Sequence, residues 1–167
     1  GGIKWWLKYV QPTLAKQLKS GALKPSVITV WLGSNDASLT NGSNPDMHVP
    51  LADYSKNLHE IVASFQAAAP SAEIVMITPP HAAAKAGVPV LDLYTHFNNM
   101  TVAKRDTYLH DGLHFSKAGH VIVNDLLRAL IQKNFPDVNK QIDVWQYPFV
   151  AKWREEDPYT GSNSTAN

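Results

Sequence analysis

The chain has 167 residues, 44% of them hydrophobic and 17% charged, with a net charge of +1 and no cysteine; that suits one folded domain with a real core, not two and not a disordered chain. Its 15 Lys and Arg are scattered, so no basic stripe marks a nucleic-acid surface. Without cysteine, disulfides, thiolate nucleophiles and Cys-ligated zinc are excluded, and no apolar run is long enough for a membrane helix.

The chain opens Gly1-Gly2-Ile3-Lys4, without a Met or a signal-peptide pattern, and the expectation is that the natural N-terminus lies elsewhere. Ile3, Trp6, Leu7, Val10, Leu14 and Leu18 recur at helical spacing over 3–20, with Pro12 as a kink or break and Gly21 as the stop. SVITVWLG, 26–33, is a continuous β-branched run and predicts a strand buried on both faces. Residues 41–50 read as a polar loop. Leu51, Tyr54, Leu58, Ile61, Val62 and Phe65 then form the stripe of an amphipathic helix. AEIVMITPP, 72–80, is a second buried strand stopped by two prolines, and VPVLDLY, 88–94, a third. From Ser116, an N-cap, the residues Val121, Ile122, Leu126, Leu127, Leu130 and Ile131 line a last helix that ends before Pro136. Residues 138–160 carry Trp145, Tyr147, Phe149 and Trp153 and are expected to dock on a domain of residues 1–137, ahead of a disordered tail, 161–167.

Strands alternating with helices predict an α/β domain with a parallel sheet. One link does not fit. Between Thr78 and Val88 lies only PPHAAAKAG, shorter than the dozen or so residues of a parallel crossover. Either the pairing differs or a crossover helix is missing.

Three clusters sit where such a sheet places its sites, outside the carboxyl ends of strands. In GSND, 33–36, Gly33 permits a sharp turn and Asn35 can aim an amide N–H at a developing oxyanion; the same residues are also ordinary turn chemistry. In DGLH, 111–114, the carboxylate of Asp111 can hold the Nδ1–H of His114 so that Nε2 faces a nucleophile. A helix-entry loop with a surface Asp and a half-buried His is the plainer reading. Gly1-Gly2, ahead of a helix, offers free backbone N–H groups. A metal reading of His110 and His114, with Asp111 and His120 nearby, ranks last because Gly112 interrupts any helix that would align them. His48, His59, His81 and His96 read as structural or surface residues, and the sequons at Asn41, Asn99 and Asn163 are what chance supplies.

Taken together, VITVWLGSNDA, VPLADYSKNLHEIV, IVMITPP, VPVLDLY and DGLHFSKAGH resemble the SGNH, or GDSL, hydrolase superfamily, in particular its isoamyl acetate-hydrolysing esterase branch. The resemblance implies a flavodoxin-like doubly wound parallel sheet, incomplete in this chain. It implies hydrolysis of small, acetate-type acyl esters through serine, with no metal and no cofactor. By matching motif, Asn35 would be one oxyanion donor, Asp111 the orienting acid and His114 the general base. Gly1 would be a second oxyanion donor, since Gly1 and Trp6 stand at the separation of the family's Gly-Tyr-Asn-Thr-Arg-Trp run; Gly2 is the alternative. The family's Gly-Asp-Ser nucleophile block does not occur in these residues. The resemblance therefore implies a chain lacking that block and an internal segment after TPP. Removing the strand beside VITVWL would leave a long apolar edge, so this polypeptide alone is expected to fold poorly. The alternative from another class is a catalytically inactive α/β module that binds a ligand or partner through the retained loops.

Overall fold

The computed structural model describes residues 2–42, 44–77, 87–111, 114–142 and 144. A parallel sheet of three strands lies at its centre, in the order β1 (Val27–Val30), β2 (Glu73–Ile77), β3 (Val90–Leu91). The register pairs Val27 with Glu73 and Val30 with Met76 on one side of β2, and Met76 with Val90 and Ile77 with Leu91 on the other.

Helices cover both faces, so the fold is α/β, as expected. Successive side chains of a strand point to opposite faces. Ile74 and Met76 of β2, with Ile28 and Val30 of β1, join a core built with α1 (Ile3–Tyr9), α2 (Gln11–Lys19) and α3 (Leu51–Ala68). Val75 and Ile77 point the other way. They pack with Leu91, with Leu93 and Phe97 of α4 (Leu93–Asn98), and with Val123 of α6 (Lys117–Asn134). Burial of all four of Ile74, Val75, Met76 and Ile77 is the pattern of a strand covered on both faces. A short α5 (Val102–Asp106) follows α4, and α7 (Pro136–Ile142) packs against α6.

The helix expected over 3–20 is two helices, broken at Val10. Pro12 has no N–H to return to the carbonyl of Lys8 and instead sits in the first turn of α2, where none is needed. Gly21, at φ +73°, ends α2 with its N–H on the carbonyl of Leu18. Helix α3 spans its expected range, with Leu51 turned to solvent and Ala68 buried instead. Helix α6 begins after Ser116 and stops before Pro136, as read. Of its expected stripe, Ile122, Leu126, Leu127 and Leu130 pack against the core and Ile131 is buried; Val121 alone is exposed, and Val123, two positions on, is buried.

The strands depart further from expectation. β1 is shorter than 26–33 and is not buried on both faces, because it is an edge strand: among the described residues it pairs only with β2, and Thr29 and Trp31 are exposed. The third strand has only two residues. Asp92 ends it by accepting the N–H of Thr95 at 2.9 Å, which caps α4 and draws Leu93 and Tyr94 into that helix. β2 and β3 are parallel neighbours despite the short link expected between them. Because both strands are shorter than read, residues 78–89 connect them, which meets the crossover minimum. Residues 78–86, where the resemblance implies that an internal segment is missing, lie outside the described residues, as do Gly1 and most of 138–167. Among the described residues no helix is long and apolar enough to cross a membrane.

An exposed edge invites pairing with another chain, and a charge placed on it opposes that pairing. Thr29→Lys is expected to lower the light scattering of concentrated solutions without altering the circular dichroism. Unchanged scattering would clear the β1 edge as the aggregating surface. Gly119 tests the packing of α6: a Cβ there would overlap the carbonyl oxygen of Tyr108 and touch Phe115. Gly119→Ala should therefore cost about 1–3 kcal/mol in urea unfolding, the usual cost of overpacking.

Candidate active site

The chain turns at Gly33, directly after β1, with φ +129°, a conformation open to glycine and strained for other residues. A Cβ there would also run into the hydroxyl of Tyr54, which donates to the carbonyl of Leu32 at 2.7 Å. The turn is closed by Ala37 N–H on the carbonyl of Gly33 at 3.0 Å. The carbonyl of Asn35 accepts from the N–H of Ser38 at 3.1 Å and from its hydroxyl at 2.7 Å. Ser34 and Asn35 both face solvent.

Asp36 is the residue that sequence reasoning missed. It was read only as part of a turn, yet it is buried, 3% exposed. Its carboxylate accepts the backbone N–H of Ile3, at 2.9 Å to Oδ1 and 3.2 Å to Oδ2. Gly2, the N-cap of α1, supplies no side chain to do this. A hydrogen bond to a charged group contributes about 1.5–3 kcal/mol. That is comparable with the burial of the Ile3 side chain, about 1.5–3 kcal/mol, so two independent terms anchor the start of α1.

The second motif lies in a closed loop. Leu109 and Phe115 form an antiparallel bridge, His110 N–H donates to the carbonyl of His114 at 2.7 Å, and Ser116 N–H donates to that of Tyr108 at 2.9 Å. Within it Asp111 grips His114 twice: Oδ1 accepts the backbone N–H at 2.8 Å and Oδ2 meets Nδ1 at 2.7 Å. This geometry assigns the proton to Nδ1 and leaves Nε2 as the acceptor. The pair is open to solvent, with side-chain exposures of 74% for His114 and 49% for Asp111. A pair so exposed adds little stability, so its worth is in orienting the ring.

Aromatic rings set this loop against the sheet. Phe115 lies 5.1 Å from Phe97 and 5.9 Å from Trp31, between ring centroids. Trp31 follows β1 directly, so the contact brings the Asp111–His114 loop to the strand end that leads to Asn35. Gly1, the other expected oxyanion donor, lies outside the described residues, as do Gly112 and Leu113. Ser116 does what its position predicts: its hydroxyl donates to the carbonyl of Thr107 at 3.0 Å and accepts the N–H of Gly119 at 3.3 Å, capping α6. His48 and His59 are structural, each with Nδ1 2.7 Å from a carbonyl, of Ser38 and Ser55 respectively. Among the described residues no three His, Asp or Glu come together as a metal site would require. A cleft of about 540 Å³ opens at the other end of the sheet, between Lys19, Lys24, Ser26 and Glu73. Asp111 and His114 lie away from it, at the strand ends where open α/β sheets bind ligands.

Comparison with known sequences adds a second line of observation. Residues 6–82 match the family of GDSL-like lipases and acylhydrolases; that span includes Asn35 and ends before Asp111. The chain is 27% identical over 177 residues to the isoamyl acetate-hydrolyzing esterase 1 homolog of Rattus norvegicus, covering 84% of this chain and 69% of that protein. It is 25% identical over 181 residues to the Homo sapiens homolog, covering 88% and 71%. A GDSL esterase/lipase of Arabidopsis thaliana is 36% identical over 77 residues, 46% of this chain and 32% of that protein.

The cap assigned to Ser116 has a measurable consequence. Ser116→Ala should destabilise the fold by about 1 kcal/mol in urea unfolding, and an unchanged midpoint would remove Ser116 from the cap.

Proposed function

We propose that the chain is a member of the SGNH/GDSL hydrolase superfamily, in the branch of the isoamyl acetate-hydrolyzing esterase homologs it resembles, and that it carries the acid–base half of a serine carboxylesterase acting on small, acetate-type esters. The observation that carries the reading is the 2.7 Å pairing of His114 Nδ1 with Asp111, which leaves Nε2 facing outward. A histidine held in this way takes the proton of a serine hydroxyl as that oxygen attacks the ester carbonyl, and Asp111 stabilises the imidazolium that forms. The carbonyl oxygen becomes an oxyanion, stabilised by the side-chain N–H of Asn35 and by the backbone N–H of Gly1, with Gly2 as the alternative donor. Collapse expels the alcohol, protonated by His114; water, activated by the same base, then releases the acid. Each step is met by protein groups alone, without metal or cofactor.

The attacking serine is not among these 167 residues, which contain no Gly-Asp-Ser. Ser116 is committed to its cap, and Ser34 stands at the variable position of the Gly-x-Asn-Asp turn. We assign the nucleophile to the family's Gly-Asp-Ser block, outside this chain. The same missing motif favours a second reading, an inactive α/β module that binds a ligand or partner through these loops.

The test is fluorophosphonate labelling of the native polypeptide with peptide mapping and intact mass. A labelled serine in a Gly-Asp-Ser peptide outside these residues supports the esterase; a native chain that takes no label supports the binding module. In the labelled protein His114→Ala should lower kcat by roughly 10⁴-fold or more, and retained turnover would remove His114 from the mechanism. Asn35→Ala should cost about 10²–10³-fold in kcat, the usual loss of one oxyanion donor.

A further inference from the structure

Asp36 is the buried charged side chain among the described residues. A carboxylate taken from water needs strong compensation, and here the partner is a backbone N–H 33 residues away in sequence, that of Ile3. The approach is close on every side. Gly2 runs in extended conformation, φ −86° and ψ −175°, and a Cβ on it would lie 2.8 Å from Asp36 Oδ1 and 3.2 Å from the carboxyl carbon. The backbone of Asp36 is held in turn, its carbonyl accepting the N–H of Val49 at 3.0 Å. A Ser, Thr or Asp at the position of Gly2 would cap α1 locally. Instead, α1 takes its cap from the loop that presents Asn35. As a helix cap the arrangement gains nothing over a local one. What it adds is a fixed spacing between two loops.

We propose that Asp36 is a positioning residue: its carboxylate sets the Asn35 side chain at a fixed distance from the backbone N–H of Gly2, and so sets the width of the oxyanion hole. The inference rests on the esterase reading for its function, and on the contact of Asp36 with Ile3 and Gly2 for its geometry. Donors displaced by about an ångström lose most of their effect on a transition state. The bond should therefore act on kcat more than on KM.

Two variants of the full-length protein test this, Asp36→Asn, which keeps one acceptor oxygen, and Asp36→Ala, which keeps none. With p-nitrophenyl acetate, and with active sites counted by fluorophosphonate titration, kcat per site should fall by about 10²-fold in Asp36→Ala. The loss should be smaller in Asp36→Asn, with KM nearly unchanged in both. In an Asn35→Ala background Asp36→Ala should cost little more, because the group it positions is gone. If Asp36 only supports the fold, the titratable fraction drops, kcat per site stays constant and the two losses add; that result overturns the proposal. A second readout is independent of turnover. In ¹⁵N-labelled protein, Asp36→Ala should shift the Asn35 side-chain amide together with the Ile3 N–H. A shift confined to Ile3 overturns the coupling whether or not the protein hydrolyses an ester. A wild-type protein without esterase activity would sink the esterase reading and leave the amide shifts to decide the coupling.

Discussion

The structure depends on β2 being hydrogen-bonded on both sides. Its register with β1 and β3 places three parallel strands side by side and leaves their carboxyl ends on one edge. Its side chains do the rest. Ile74 and Met76 seat the layer of α1, α2 and α3, while Val75 and Ile77 seat that of α4 and α6. A strand whose neighbours are strands and whose faces are helices has no solvent to satisfy its polar groups. Both loops of the candidate site take their positions from that constraint.

What brings the loops close is the absence of side chains at three glycines. Gly2 lets α1 lie on the carboxylate of Asp36, Gly33 leaves room for the Tyr54 hydroxyl, and Gly119 lets α6 approach the carbonyl of Tyr108. Each contact joins a segment of the candidate site to a part of the body: Gly2 to the Asn35 turn, that turn to α3, and the Asp111–His114 loop to α6. The Trp31–Phe115 contact then ties the strand end to the Asp111–His114 loop. The site is thus assembled from pieces held rigidly from behind, while His114 and Asp111 themselves stay open to solvent. In an esterase that openness would leave room for substrate and for the serine that His114 serves.

Much of this was legible in the sequence because it is local. The period of α3, the Ser116 cap, the glycine stop after α2, the burial of β2 and the pairing of Asp111 with His114 each rest on residues a few positions apart. Their physics, whether helical spacing, a cap or an i to i+3 contact, needs no distant partner. The resemblance to the SGNH/GDSL hydrolases was legible for a related reason: its motifs fall at strand and helix ends, where chain order carries them. The misreadings came where a second element decides the outcome. VITV reads as a buried strand, yet its place at the edge of the sheet exposes Thr29. VPVLDLY reads as one strand, yet Asp92 gives its second half to α4.

Sequence alone therefore determined the α/β class, the resemblance to the SGNH/GDSL hydrolases and the contact of Asp111 with His114, since periodicity, caps and short motifs are properties of neighbouring residues. Tertiary structure alone decided which strand is an edge, which glycines are required, and that Asp36 is a buried tie and not a turn residue. The last is the clearest case. The carboxylate of Asp36 accepts the N–H of Ile3, 33 residues back along the chain. No local pattern encodes a contact of that separation, because folding of the sheet and α3 creates it.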